Sequence, residues 1–502
     1  MADRPIRRYR FGPLERRGVV GGLRTGQAVI VALALVAAVV LVNVSSSPVA
    51  VLFALLVALA GAALAFYPLY GRTAEEWAPV TVAWATTGVA GRRRWRTQAP
   101  GSGARGEVPS GAVETPVSLP PEVGSLDLLA APLHGEEVGI VKDKKGPTYT
   151  AVLAVRVRSF GLLDRAEQER RLAGWGAVLA GLARENSPVR RVQWLERTVP
   201  SDGDEVARYL QEERDSTVPL TSSSVASYIE LVESAGSVTQ DHELFLALQI
   251  DARRAWRQVK RLGKGDQGAV TLLLRELETL AERLVAADVQ VIGALRPRML
   301  ARTIRDAYDP YGRTNRNRLA AVDPLHAGVD PANAWPVAAD ASWGEYRTDS
   351  AVHATYWIAQ WPRIDVGATF LAPLLMQTNV LRSVAVCMEP VAPSQAIRKI
   401  EAARTSDVAD EETRRRGGFV TTARKRLQQD ATARREQELA DGHAEFRFAG
   451  FTTVSARDPE ELERACAELE HAAQQARLEL VRLYGQQPEA FTFTLPLGRG
   501  LR

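Results

Sequence analysis

Two blocks near the start of the chain have no polar alternation. Residues 28–44 form an uncharged run of 17 residues and 49–66 a second of 18, separated by Ser45-Ser46-Ser47-Pro48. At about 1.5 Å of rise per residue each spans roughly 25–27 Å as a helix, near the roughly 30 Å of a hydrocarbon core. The spacer suits a tight helical hairpin, because proline readily opens a helix. The pattern predicts a transmembrane hairpin over 28–66 with both ends on one side.

Further along, apolar positions recur at mixed periods. Residues 137–141 and 147–157 read as strands joined by the turn-rich Lys142-Asp143-Lys144-Lys145-Gly146. Leu172, Trp175, Leu179 and Leu182 make an amphipathic helical stripe. A strand over 189–199, helices over 203–215 and 223–234, and a strand over 242–252 follow, the last with Leu244, Leu246, Leu248 and Ile250 on one face. A helix through Leu273, Leu277, Leu280 and Leu284 leads to a strand over 289–295 and a helix opened by Pro297. From Trp335 a similar order returns: a strand pair over 342–346 and 352–361, a short helix over 370–376 and a strand over 381–388. A long helical stretch over 393–439, interrupted at Gly417-Gly418, precedes a strand over 444–455, a helix over 459–476 and a strand over 478–484. Both halves close on helix, strand and a short helix opened near proline, VQVIGALRPRML and LELVRLYGQQPEAF. The expected fold is α+β, a duplicated region with a small antiparallel sheet covered by helices in each half. The organisation reads as a basic N-terminus (1–27), hairpin (28–66), juxtamembrane segment and flexible linker (67–121), first α+β half (122–307), connector (308–334) and second α+β half (335–502).

Composition bears this out without adding chemistry. With 502 residues, 46% hydrophobic and 24% charged, the chain is too long for one core and too apolar for wholesale disorder. Two cysteines, Cys387 and Cys466, build neither a disulfide framework nor a cysteine-rich metal site. Lys+Arg, 63, exceeds Asp+Glu, 59, by only four, but the distribution is uneven. Arg4, Arg7, Arg8, Arg10, Arg16, Arg17 and Arg24 precede the first apolar run, Arg72, Arg92, Arg93, Arg94 and Arg96 follow the second, and the intervening loop has none. The positive-inside rule then predicts a multi-pass protein of the inner (cytoplasmic) membrane with both termini cytoplasmic. Tyr67, Tyr70 and Trp77 suit the headgroup zone. A signal peptide or two buried helices of a soluble domain would not explain this asymmetry. The Gly-, Pro- and Ser-rich stretch from Arg92 to about Pro121 reads as a tether. Its basic start suits anionic lipid headgroups, with nucleic acid as the other reading.

Catalytic and cofactor motifs find no positive support. Gly263-Lys264-Gly265-Asp266-Gln267-Gly268 lacks the Ser or Thr that a phosphate loop places after its lysine, and reads as a loop before the Leu273 helix. His134, His242, His326, His353, His443 and His471 show no close metal-ligand spacing, and no G-x-S-x-G elbow occurs. No catalytic, cofactor-binding or metal residue is assigned, and no cofactor is expected. Arg414, Arg415, Arg416, Arg424, Lys425, Arg426, Arg434 and Arg435 form a basic succession diluted by Glu411, Glu412, Glu436 and Glu438. It reads as a solvated mixed-charge helix or as a face for nucleic acid or a partner. Trp335, Trp343, Trp357 and Trp361 read as packing at a core or domain junction. Gly61 and Ala65 have the small-xxx-small spacing that lets membrane helices approach closely.

Three stretches carry a family resemblance: AYDPYG, WPVAADASWGEYRTDSAVHATYWIAQWPR and the closing RLYGQQPEAFTFTLPLG. With the hairpin, they resemble a family of actinobacterial membrane proteins encoded with conjugation-type machinery. The closing stretch is similar to the end of the non-motor N-terminal domain of type IV secretion ATPases, and the hairpin to the small inner-membrane subunit that pairs with that ATPase. The chain thus resembles a fusion of the two, ending where a motor would begin, and no family active-site residue has a matching position. The resemblance implies a non-enzymatic scaffold that contacts membrane lipid, a separate motor ATPase and other channel subunits, and that forms homo-oligomers. The alternative is a membrane-tethered nucleic-acid-binding protein using residues 414–435.

Overall fold

The computed structural model describes residues 25–45, 47–67, 71–97, 119–157, 160–200, 218–219, 222–236, 240–322, 327–376, 380–416 and 433–501. The chain divides into two compact units: the described residues up to Arg93 with Leu483–Gln486, and the described residues of Arg94–Arg482 with those from Gln487 onward. The expected helix over 203–215 and the Gly417-Gly418 interruption lie outside the described residues.

The first unit contains α1 (Thr25–Val44), α2 (Pro48–Phe66) and α3 (Ala74–Val89). Pro48 stands at the first position of α2, and the Ser47 hydroxyl accepts a bond from the Ala50 N–H at 3.2 Å. This end therefore starts as its sequence predicts. Helix α3 lies in the expected juxtamembrane segment, where the sequence pattern predicts no element. Its start is fixed by the Glu76 carboxylate, which accepts from the Thr73 N–H at 3.1 Å. Pro79 sits inside it, a residue that usually argues against a helix.

The second unit is built on one antiparallel sheet of thirteen described strands. Its first part contains β1 (Arg94–Arg96), β2 (Leu126–Leu133), β3 (Glu136–Asp143), β4 (Thr148–Arg156), α4 (Arg165–Leu182), β5 (Val189–Pro200), α5 (Ser223–Gly236), β6 (Gln240–Asp251), α6 (Trp256–Leu262), α7 (Gly265–Ala286), β7 (Gln290–Ala294), α8 (Pro297–Tyr308) and α9 (Arg313–Val322). Its second part contains β8 (Ala338–Ala341), β9 (Tyr346–Arg347), β10 (Val352–Gln360), α10 (Ala372–Leu375), β11 (Leu381–Pro390), α11 (Pro393–Arg416), β12 (Phe446–Ala456), α12 (Pro459–Gln475), β13 (Glu479–Arg482) and α13 (Gln487–Phe491). A further helical stretch covers 433–440.

The strand order is β1-β8-β9-β10-β12-β11-β5-β6-β4-β3-β2, with β13 on β10 and β7 on β4. In the first half β4 pairs with β6 along one edge and shares its other edge between β3 and β7. In the second half β10 pairs with β12 along one edge and shares the other between β9 and β13. Where the pattern predicts a separate sheet per half, β5 and β11 pair antiparallel from Val192↔Met388 to Arg197↔Ser383 and merge the two. Each strand would otherwise present an unpaired edge, and the pairing removes both. The strand expected over 342–346 is corrected as well: β8 ends at Ala341, β9 begins at Tyr346, and the residues between make the turn. Asp349 draws β8 into place by accepting from the Val337 and Ala338 N–H groups at 2.9 and 2.8 Å. Residues 94–96 of the expected tether form β1 on β8.

Period-two alternation divides the faces. Leu246, Leu248 and Ile250 of β6 pack with Leu273, Leu277, Leu280 and Leu284 of α7, and with Val178 and Leu182 of α4, in one core. Val352, Ala354, Tyr356 and Ile358 of β10 pack with Leu462, Cys466 and Leu469 of α12 in another. The intervening residues point to the opposite face, where His353 and Phe491 lie with ring centroids 4.6 Å apart and Tyr308 and Phe491 4.9 Å apart. That face is also covered by the closing stretch of the chain. Buried Gln193 of β5 donates to the Phe493 and Leu495 carbonyls, both at 2.9 Å, and accepts from the Gly498 N–H at 2.8 Å. Gln249 of β6 donates to the Leu497 carbonyl at 3.2 Å. Gln487 completes Thr355 of β10, accepting from its N–H at 2.8 Å and donating to its carbonyl at 3.2 Å.

Candidate functional site

The hairpin is the element with the plainest functional geometry. Twenty residues of α1 and nineteen of α2 extend about 30 and 28 Å. Both helices are long and apolar enough to cross a membrane. Their side chains stay on the outside: Leu33 is 65% exposed, Val36 60% and Leu59 59%. Gly61 lies where a Cβ would come within 2.2 Å of Ala34 Cβ, so α1 and α2 approach closely only because the position has no side chain. Ala65, one turn on, is fully buried, and its carbonyl accepts from Gln27 Nε2 at 3.1 Å.

The basic flanks are distributed differently from the sequence expectation. Arg7, Arg8, Arg10, Arg16, Arg17 and Arg24 lie outside the described residues. Arg72 is half-buried with its guanidinium 5.5 Å from the Trp77 ring centre. Burial lowers its pKa and the neighbouring Glu76 opposes this. Arg93 folds back on α3, 3.9 Å over the Trp84 ring, and donates to the Trp84 carbonyl at 2.6 Å. Arg94 pairs with Asp340 across the β1–β8 ladder at 3.3 Å. Among the described residues Arg92 and Arg96 of this cluster are exposed without a side-chain partner, whereas Arg93 and Arg94 are engaged within the protein. The run splits because Trp84 and Asp340 each claim one arginine.

Of the basic succession further on, Arg414, Arg415 and Arg416 belong to α11, Arg424, Lys425 and Arg426 lie outside the described residues, and Arg434 and Arg435 are in the 433–440 helix. Arg404 of α11 binds both Glu436 oxygens, at 2.8 and 3.0 Å, tying the two helical stretches through the opposite charge already visible in the sequence. The glycine–lysine cluster is a helix junction: α6 ends at Leu262 and α7 begins at Gly265.

The remaining polar machinery is internal. Asp306, 2% exposed, is held by Arg313 at 3.3 Å and Arg316 at 2.8 Å, while Arg316 also reaches Asp309 at 2.6 Å. Arg305 pairs with Asp349 at 2.7 Å, and Arg313 links this cluster to Glu243 of β6 at 2.8 Å. Burial pushes the Glu243 pKa up, but Arg197 and Arg313 outweigh it and hold the carboxyl down at about 2. This network was not foreseen. Its signal was the density of Asp and Arg between Arg302 and Arg316, around the AYDPYG stretch. Its carboxylates are each held by an arginine, and an ionic lock on packed elements is what the arrangement does chemically. Cys387 is buried and its thiol is pushed up to about 12, so it stays protonated at neutral pH. Among the described residues no three of His, Cys, Asp and Glu cluster as metal ligands do. Compared with family models and with curated proteins, the chain matches none.

Proposed function

We propose that this chain is a non-enzymatic scaffold of the inner (cytoplasmic) membrane that docks a separate motor ATPase in a conjugative or type IV secretion-like apparatus. The observation that carries the reading is the hairpin, two helices packed through Gly61 and Ala34 with apolar side chains on every outward face. Such surfaces are stable in lipid and costly in water. The arginine bias on both sides of the hairpin supports two crossings with cytoplasmic termini. The sheet unit supports a positional mechanism, because its strands are paired in one ladder and the buried carboxylates around Asp306 are spent on neighbouring arginines. The common pairing order of the two halves supports an origin by internal duplication. The hairpin would set depth and orientation, and the sheet would present a surface to the motor, to other channel subunits or to further copies of the chain. Homo-oligomerisation follows from the symmetry usual in such machines.

The test is affinity capture of the tagged full-length chain from mildly solubilised, crosslinked membranes, followed by mass spectrometry. The expected result is recovery of a P-loop ATPase with other membrane channel subunits. Recovery of the chain alone, across several detergents and crosslinkers, overturns the reading.

A further inference from the structure

A cleft of about 530 Å³ opens in the sheet unit between the turn that follows α4, the short helix α6 and the start of α11. Arg254, Arg257, Gln258, Arg261 and Gln395 line it, with Trp256 alongside. The segment from Ala252 to Gly265 carries Arg253, Arg254, Arg257, Lys260, Arg261 and Lys264 and no acidic residue. None of these six cations has an ion-pair partner among the described residues, and all are exposed. Many arginines elsewhere in the same unit are paired, as in the Asp306 network, so the six unpaired cations from Arg253 to Lys264 stand out. Arg257 and Arg261 are four apart on one helix, a like-charge spacing that weakens an isolated helix.

The segment is held against this repulsion by packing. Gly268 of α7 allows it: a Cβ there would lie 2.4 Å from the Val259 carbonyl oxygen and 2.7 Å from that of Gly263. Gln258 fastens α6 to the far side of the cleft by donating to the Asn186 carbonyl at 3.0 Å. The acidic groups nearby are already engaged. Glu185 accepts from the Ser394 N–H at 2.7 Å, Asp251 pairs with Arg190 at 2.8 Å, and Glu276 with Arg184 at 2.9 Å. Trp256 is 55% exposed, and the Arg257 guanidinium stands 5.6 Å from its ring centre.

We propose that this cleft binds a single-stranded nucleic acid, with phosphates on Arg254, Arg257 and Arg261 and an unpaired base stacked on Trp256. A positively charged groove beside an exposed aromatic ring is how sequence-tolerant single-strand binders combine backbone attraction with stacking. Gln258 and Gln395 add side-chain amides that donate and accept at base edges or sugars. A lipid surface fits less well, because a planar bilayer cannot follow a concave cleft. Duplex DNA keeps its bases stacked on one another and offers no free face to the indole. The proposal is independent of the scaffold reading, and it moves the nucleic-acid face from residues 414–435 to α6.

The test is fluorescence anisotropy of a labelled oligothymidylate of about 16 nucleotides with the full-length chain in non-ionic detergent. Binding is expected to weaken steeply between about 50 and 200 mM salt. The triple replacement Arg254→Ala, Arg257→Ala, Arg261→Ala is expected to flatten the log–log salt dependence by about 2, from three lost phosphate contacts on a single strand. Trp256→Ala is expected to weaken binding roughly tenfold with the salt dependence unchanged, and Trp256→Phe to restore most of it. The replaced Arg254, Arg257 and Arg261 are all exposed, and the Trp256→Phe rescue separates stacking from misfolding. Three results overturn the proposal: no salt-sensitive binding at about 50 mM salt, loss that follows Arg434→Ala and Arg435→Ala instead, or capture by phosphatidylserine vesicles with the same arginine dependence while the oligonucleotide is ignored.

Discussion

At His353 the backbone of β10 delivers an imidazole to a site closed to solvent. The residue is fully buried, its Nε2 bonded to Thr348 Oγ1 and its Nδ1 to Ser455 Oγ, both at 2.8 Å. Burial pushes its pKa from 6.5 down to about 3, so the folded state holds it neutral where an unfolded chain would protonate it. Between those values the unfolded state binds the extra proton, and stability falls as pH drops, by at most about 1.4 kcal/mol per pH unit. Denaturant titrations from pH 7 to 4.5 are expected to show this loss in the wild type and a flatter profile in His353→Gln. Taking the difference matters, because burial raises the Glu122 pKa above its usual value and its titration runs the other way. Equal slopes would remove His353 as the source. In the sequence this histidine was one of six without ligand spacing; that it is buried and neutral depends on Thr348, Ser455 and Phe491, which no local pattern joins to it.

At the scale of elements, periodicity was a reliable guide wherever one face is apolar. The Leu244, Leu246, Leu248 and Ile250 alternation and the Leu273, Leu277, Leu280 and Leu284 stripe meet each other in the first core. Helix α3 escaped because its first turn carries two glutamates and Pro79 interrupts it, and strand β1 because three residues have no period to read. The membrane hairpin is the case in which spacing carried packing information. Gly61→Ala is expected to destabilise the α1–α2 pair by about 1–3 kcal/mol, since the new methyl collides with Ala34. Adding Ala34→Gly opens the same volume from the other side and is expected to restore most of the loss. Thermal unfolding of the four members of this cycle in detergent measures the coupling. Additive effects would show that the helices do not meet at this pair.

Across the whole sheet unit, the closing stretch of the chain acts on strands that are hundreds of residues away. Gln193 lies on β5 opposite Cys387 of β11, so it bonds the closing stretch beside the seam that joins the two halves. Gln193→Leu strips partners from the Phe493 and Leu495 carbonyls and the Gly498 N–H, and buried groups left unpaired cost roughly 1–3 kcal/mol each. The variant is expected to lose about 3 kcal/mol or more in chemical denaturation, with earlier proteolytic cutting of residues 492–501. Wild-type resistance in that stretch would mean that Gln193 is dispensable to its docking. Three sequence stretches serve this scale: AYDPYG contributes Asp309 to the ionic network, the tryptophan-rich block forms β8 to β10, and the closing stretch covers the seam.

Local sequence pattern was enough to predict the apolar hairpin, the α+β class and the order of most described elements, though not α3, β1, β2, α6 or α9. These follow from local quantities: run length, period and the residue types a turn or loop requires. Only the tertiary structure decided that the halves share one sheet, that Asp306 and Glu243 are bound by arginines from separate elements, that Trp84 and Asp340 claim Arg93 and Arg94, and that the cations of α6 line a cleft. Strand edges, ion pairs and clefts are made between residues far apart in the chain, and their energies depend on which partner arrives, something that no window of sequence contains.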